Sequence, residues 1–268
     1  MIAQHAGLAS LAPFPSRGRA RGRADIHFHL LPGVDDGPET LDESAALAAM
    51  AFGEGTTTIV ATPHVRGDFV TDVGDLPDRV REVRDRLRRD RIGVDVCVGA
   101  ELGHDMVERL TQAELELVAQ GPPGGRWILL ETPFAGVTPE LAAAAAELRT
   151  RGFACVLAHP ERGMGVLEHD CAALRTELDA GGVLQISGSS LAGWHGEIAR
   201  ETGFALAREH CAVIASDAHG PDRPPALSVA VEAALVRGLS PALARGMVEL
   251  GPRALLQAGL PLPLPAAA

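Results

Sequence analysis

The chain has 268 residues, 46% of them hydrophobic, enough for one large β/α domain or two small ones around a substantial core. Its formal charge is −11, and the first 24 residues hold four Arg and no acid, so the remainder is more acidic still. Such a body lacks the basic stripe of a general nucleic-acid surface, and no apolar stretch reaches the ~18 residues of a membrane span.

Residues 1–23 are small, Pro-containing and Arg-rich, and read as a disordered tail. The short segment from Leu8 to Pro15 precedes its Arg cluster, the wrong order for a secretory signal, so the cytoplasm is the expected compartment. From Ala24 a strand-helix alternation begins and runs as a single domain to residue 260. The first strand is expected over 24–29, followed by a helix with a capping box at Thr40 and Glu43. A strand at 57–62 precedes a helix at 75–90, which places Leu76, Val80, Val83 and Leu87 on one face. Next come a strand at 93–99, a helix at 105–119 and a Gly/Pro turn over 121–125. The strand at 126–131 leads to a helix capped by Thr138 with Pro139 in its first position. Strands at 153–158, 183–187 and 212–216 follow, with helices between them. Two helices close the chain, the first entered by Ser240-Pro241, and the Pro-rich end from Pro261 reads as frayed. Seven strands with helical crossovers and no antiparallel block predict an α/β fold with right-handed parallel connections, either a wound sheet or a closed barrel. Seven strands favour a distorted barrel.

Six of these strands end on potential metal ligands: His27 and His29, His64, Glu101, Glu131, His159, and Asp217 with His219. One such ending means little, because a lone His is more often a hydrogen-bonded core imidazole. Six in series place a ligand-rich pocket at one end of the sheet, where β/α barrels carry their active sites. Residues at i and i+2 of an extended segment share a side, so His27 and His29 can grip one ion or two adjacent ones. Asp217 and His219 have the same spacing. Mixed imidazole and carboxylate ligation suits Mn, Fe or Zn, and bridging carboxylates suit more than one ion. Asp35-Asp36-Gly37 is a turn, a ligand-bearing loop, or both. Arg162 and Arg223 each lie a few residues beyond a candidate ligand, placed for a bidentate grip on phosphate. His5, His104, His169, His195 and His210 fall in the tail, helices or loops and read as structural or surface groups.

Absences narrow the chemistry. The four cysteines, Cys97, Cys155, Cys171 and Cys211, are widely spaced and read as free thiols rather than a thiolate zinc site. The nearest approach to a cysteine-phosphatase loop, Cys155 to Arg162, encloses Ala158-His159-Pro160 instead of a Gly-rich cradle. Neither a G-x-x-x-x-G-K-[ST] loop nor a G-x-S-x-G elbow occurs.

The stretches DIHFHLLPGVDDGPET, TTTIVATPH, VGAE, ILLETPF, VLAHPERG, LQISGSSLAGWHG and VIASDAHGPDRPPAL run in order from Asp25 to Leu227. They resemble the PHP (polymerase and histidinol phosphatase) superfamily, and within it the CpsB/CapC-type protein-tyrosine phosphatases of bacterial capsule and exopolysaccharide loci. The resemblance implies a distorted seven-stranded β/α barrel of PHP type with three divalent metal ions, often manganese, in the site. Carried over, the first ion takes His27, His29, Glu101 and Asp217. Glu101 bridges to the second, which adds Glu131 and His159, and the third takes Asp36, His64 and His219. Arg162 and Arg223 match the phosphate-binding arginines, and Asp36 and His219 join them as catalytic candidates. The implied substrate is a phosphotyrosine protein, a tyrosine autokinase that controls polysaccharide export. The Arg-rich tail is extra to the family pattern, and the loop after His64 and the segment 102–106 depart from it. A small-molecule PHP phosphatase, acting on histidinol phosphate or a nucleotide, is the nearest alternative. An amidohydrolase also starts with His-x-His, but the absence of any Lys excludes members that need a carboxylated one. A metal-free regulatory module on the same fold is the alternative of another class.

Overall fold

The computed structural model describes residues 22–166, 172–210 and 212–262. All seven expected strands are present: β1 (Arg23–Phe28), β2 (Thr56–Ala61), β4 (Asp95–Val98), β6 (Trp127–Glu131), β7 (Ala154–Ala158), β8 (Val183–Ser187) and β9 (Ala212–Ala215). Two more, β3 (His64–Val65) and β5 (Glu101–Leu102), have two residues each, too few for any alternation to be read.

Pairing among these strands is parallel, in a three-stranded sheet ordered β1-β2-β4 and a six-stranded sheet ordered β3-β5-β6-β7-β8-β9. Two chain segments pass from one sheet into the other. The first breaks at Thr62-Pro63, between β2 and β3, and the second at Gly99-Ala100, between β4 and β5. Proline has no N–H for a ladder, which explains the first break. Pro63 still accepts a bond from the Glu101 amide at 3.0 Å. Elsewhere the two sheets meet again through a parallel bridge between Phe28 and Ala218.

Helices cover the outer faces. The larger apolar cluster lies between strands and helices and includes Phe28, Ile59, Ile128, Leu157 and Ile186, with Leu76, Val80, Val83 and Leu87 of α2 (Leu76–Arg89). A smaller cluster on the opposite face holds Ile26, Val60, Trp127, Leu129, Val156 and Val213. Fully buried Trp127 donates its indole N–H to the Leu255 carbonyl at 2.8 Å, closing that cluster away from the ligand end. Helix α1 (Leu41–Gly53) carries the expected Thr40–Glu43 capping box, and α4 (Pro139–Thr150) the expected Thr138 cap.

Three expectations need correction. The helix expected over 105–119 is broken into a 3-10 turn (His104–Met106) and α3 (Gln112–Val118), because Thr111 and Glu114 form their own capping box and start a new helix. After β9 the chain forms a helix (Leu227–Val236) ahead of Ser240. Beyond Ser240-Pro241, a helix (Pro241–Arg245), a π segment (Gly246–Leu250) and a last helix (Gly251–Gln257) make one continuous helical run. Pro252 cannot donate to the preceding turn, and the wider π turn sits just before it. Finally, the first strand begins at Arg23, and Arg253 donates to the Gly22 carbonyl at 2.7 Å. The rest of the Arg-rich tail lies outside the described residues, as do Cys171, Cys211, His5, His169 and residues 263–268. Leu260 and Leu262 pack, partly buried, against the smaller cluster. Among the described residues no helix is long and apolar enough to cross a membrane.

Candidate metal centre

The period-two alternation of the strands delivers the ligands. Along one face run Val60, Thr62 and His64; Cys97, Gly99 and Glu101; Trp127, Leu129 and Glu131; Val213, Ala215 and Asp217. Each row starts in the smaller apolar cluster and ends on a ligand. Register aligns the ends, for His64 pairs with Glu101 and Glu131 with Ala158, the residue before His159. In β1 an extra residue relative to β2 lies between Asp25 and Phe28, a bulge at the ligand end. The Asp217 amide donates to the His27 carbonyl, and the His29 amide to the Ala218 carbonyl, both at 2.9 Å. The two His/Asp pairs with i, i+2 spacing therefore face each other, and the rings of His29 and His219 stack at 3.6 Å.

All the predicted ligands converge. Donor atoms lie within 4.8 Å of one another in four overlapping groups: His29, Asp36, His64 and His219; His27, His29 and Asp217; His27, Glu101 and His159; His64, Glu101 and Glu131. The two oxygens of Glu101 turn to different imidazoles. Oε1 lies 2.7 Å from His159, while Oε2 lies 2.9 Å from His64 and 3.2 Å from His27. His29 belongs to two groups, which the family pattern alone does not imply.

Several imidazoles have one nitrogen occupied, and that fixes the other. His27 Nδ1 meets Gln185 Oε1 at 2.8 Å, His29 Nδ1 meets Asp35 Oδ2 at 2.7 Å, and His219 Nδ1 meets the Asp217 carbonyl at 3.0 Å. A ring donating from Nδ1 presents a lone pair at Nε2, the arrangement found behind metal-bound histidines. Glu101 Oε2, His64 Nδ1 and His219 Nε2 are buried and lie at ion-pair distance from other ligand atoms, yet none makes a hydrogen bond of proper geometry. Buried polar atoms left without a good hydrogen bond are costly, and several facing one another in one place fit a cation between them.

Electrostatics agree. Burial acts to raise the Glu101 and Asp217 carboxyls, but the surrounding imidazoles pull both well below the usual carboxylate range. Burial acts to lower His27 and His29, yet neighbouring carboxylates push both up. The carboxylates demand positive charge at the centre, which bound metal ions would supply. Asp36 is held low against its partial burial by His219 and other imidazoles, whereas burial and then His29 push His219 down to about 4.

Arg162 and Arg223 stand beside this centre. Both guanidiniums donate to Asp217 Oδ2, at 2.5 and 3.0 Å, and Arg223 also reaches Asp36 Oδ2 at 3.3 Å. With His64, Glu131 and His159 they line a pocket of about 150 Å³. The backbone is strained where they meet it. Among the described residues, only Arg91, His159 and Asp217 are non-glycines at positive φ, and the last two are ligand candidates.

Sequence reading placed Asp35 only in a turn or ligand-bearing loop, and it missed Gln185 and Arg66. Asp35 supports His29 and accepts the His64 amide at 3.0 Å. Gln185 sits mid-strand in β8, where a lone polar residue gives no signal. Arg66 lines the pocket and donates to Glu131 Oε1 at 2.7 Å. Its position just after His64 was the available clue. His195, read as structural, meets Ser189 Oγ at 2.8 Å through Nε2. Burial and then the Arg162 charge push it down to about 4.

The chain matches the family model described as capsular polysaccharide synthesis, CpsB/CapC, over residues 23–246. It is 32% identical over 200 residues to the putative tyrosine-protein phosphatase CapC of Staphylococcus aureus, spanning 73% of this chain and 76% of that one. The tyrosine-protein phosphatase YwqE of Bacillus subtilis is 30% identical over 206 residues, with the same shares. A chain from the crystal structures of YwqE from Bacillus subtilis and CpsB from Streptococcus pneumoniae, described as unique metal-dependent tyrosine phosphatases, aligns with a TM-score of 0.74 at 26% identity. That alignment covers 91% of this chain and all of the other. The family match over residues 23–246 and the 30–32% identity to these phosphatases over most of the chain show that the chain belongs to the CpsB/CapC family of capsular polysaccharide synthesis.

Proposed function

We propose that this protein is a metal-dependent protein-tyrosine phosphatase that hydrolyses phosphotyrosine without a covalent cysteinyl intermediate. The observation that carries the reading is Asp217, whose Oδ1 lies 3.3 Å from His27 Nε2 while Oδ2 accepts both arginines. One carboxylate thus joins a cation site to an anion site. We read the two sheets as a single distorted seven-stranded barrel, closed between β1 and the segment after β9. In this reading its mouth would hold three divalent ions, manganese in the first instance, on His27, His29, Asp36, His64, Glu101, Glu131, His159, Asp217 and His219.

When bound, such ions supply charge neutralisation and an activated water for in-line attack on phosphorus. The protein's own groups do the rest. Arg162 and Arg223 exchange a shared carboxylate oxygen for the phosphate oxygens, a stronger anionic partner that accepts bidentate bonds. Asp36 and His219, whose Oδ1 and Nε2 lie 3.1 Å apart, are assigned to the attacking water through the ion they would hold, since those atoms are the ligands themselves. The departing phenolate, with a pKa near ~10, needs less protonation than an alkoxide. Cys155 takes no part, since burial pushes its thiol up to about 12.

The substrate we assign is a tyrosine autokinase of polysaccharide export, in the cytoplasm. Phosphotyrosine peptide, phosphoserine peptide, histidinol phosphate and a nucleoside monophosphate, compared with Mn supplied, test the assignment. Preference for the phosphotyrosine peptide is expected; preference for histidinol phosphate or the nucleotide contradicts it.

A further inference from the structure

We infer that Phe134 is the residue by which this site selects aryl over alkyl phosphate esters. The inference rests on the phosphatase reading above and adds the source of its substrate class. The pocket of about 150 Å³ is lined by Asp36, His64, Arg66, Glu131, Arg162, Arg223 and other polar residues. That space suits a phosphoryl group, and its lining is polar with one exception. Phe134 is the single apolar side chain among the lining residues. The phenyl ring of a substrate therefore stays at the mouth, where Phe134 stands.

Phe134 is 70% exposed, so its ring adds little to the core. A lone exposed apolar side chain is ordinary. A pinned one at the mouth of a phosphate pocket is not. The Met164 amide donates to the Phe134 carbonyl at 2.8 Å, and the Gly136 amide to the Pro133 carbonyl at 2.8 Å. Gly136 has φ +88°, and a Cβ there would lie 2.3 Å from the Met164 carbonyl oxygen. The loops after β6 and β7 are thus locked together, and they carry Phe134 and Arg162 respectively. The Arg162 guanidinium lies 5.5 Å from the Phe134 ring centroid. One group grips phosphate, and the other is presented beside it at a fixed offset.

The ring also borders a second recess of about 130 Å³, with Arg66, Gly103, His104, Asp105, Glu131 and Pro133. Phe134, with Arg66 and Glu131, therefore forms the partition between the phosphate pocket and a neighbouring space that can admit a substrate ring. Aromatic pairs favour offset or edge-to-face contact at 4.5–7 Å between centroids, a geometry this partition permits. A phosphoserine side chain offers no ring to meet it and is too short to hold its backbone clear of the rim.

Ligand binding to the metal-loaded protein tests this without turnover. Calorimetry with benzylphosphonate and methylphosphonate gives an aryl-to-alkyl affinity ratio. In the parent protein the benzyl compound should bind more tightly. Phe134→Ala should cut the benzyl affinity by about 2- to 10-fold, the value of one aromatic contact, and leave the methyl affinity near parental. Phe134→Tyr should keep the ratio. At 70% exposure the substitution leaves the core intact. Equal loss of both affinities would show that Phe134 only positions Arg162, and would overturn the inference. An unchanged ratio in Phe134→Ala, or a parent that does not prefer the benzyl compound, would do so too. Failure of the parent to hydrolyse any phosphoester contradicts the phosphatase reading instead, because the binding ratio is read independently of hydrolysis.

Discussion

Asp217 shows how much one residue can organise. Its αL backbone, φ +54°, turns the carboxylate so that one oxygen faces His27 and His29 and the other faces two guanidiniums. Arginine has no free lone pair at neutral pH, so Arg162 and Arg223 serve the anion and not the cations. Replacing either with Ala should lower kcat/KM by roughly one to three orders of magnitude while metal content stays parental. Lys should restore only part of the loss, because the bidentate fork is gone. Steady-state kinetics with elemental analysis checks both halves. A double variant with parental kinetics, or one stripped of metal, defeats the assignment. Gln185 is a positioning residue of a different kind, holding His27 Nδ1. Gln185→Leu should weaken metal affinity by about 10- to 100-fold, and excess metal should recover much of the activity. An unchanged metal titration contradicts that role.

At the scale of elements, the alternation that makes the strands also aims the ligands, which is why the site was legible in the sequence. His64, Glu101, Glu131 and Asp217 each continue an apolar row by two residues. Register did not have to be known, because each row ends at the same end of a parallel sheet. Less was legible where an element lacks periodicity. Strands β3 and β5 are two residues long, and Asp35 and Gln185 act through the ligands His29 and His27 rather than as ligands themselves. The capping box at Thr111 and Glu114 was present in the sequence, but a longer helical pattern obscured it. The lock between the loops after β6 and β7 gives a prediction at this scale. Gly136→Ala combines positive φ with a clash at a backbone carbonyl, and should destabilise the fold by about 2 kcal/mol or more. Denaturant unfolding measures it. A loss below about 0.5 kcal/mol, the range of ordinary surface changes, would mean that the two loops are not held together.

Across the whole molecule, acid and base are distributed so that a strongly acidic chain still offers an anion pocket. The carboxylates at the mouth are matched by imidazoles and, with divalent ions bound, by more than their own charge. The two cysteines among the described residues stand apart from this arrangement. Burial pushes Cys155 up to about 12 and raises Cys97 as well, so neither presents a thiolate at neutral pH. Iodoacetamide should leave turnover intact in the folded, metal-loaded protein, and mass mapping should find Cys155 unmodified. Rapid inactivation with a label on Cys155 would contradict this.

The central claim is that phosphotyrosine hydrolysis runs on the metal centre at the strand ends. Its most direct test is phosphate release from a phosphotyrosine peptide before chelation, after exhaustive chelation, and after stepwise return of manganese. Turnover should vanish on chelation and return with added metal, and Glu101→Ala should lose more than one equivalent of bound metal and fail to recover. Full activity in the chelated protein, or parental activity and metal content in Glu101→Ala, would contradict the account.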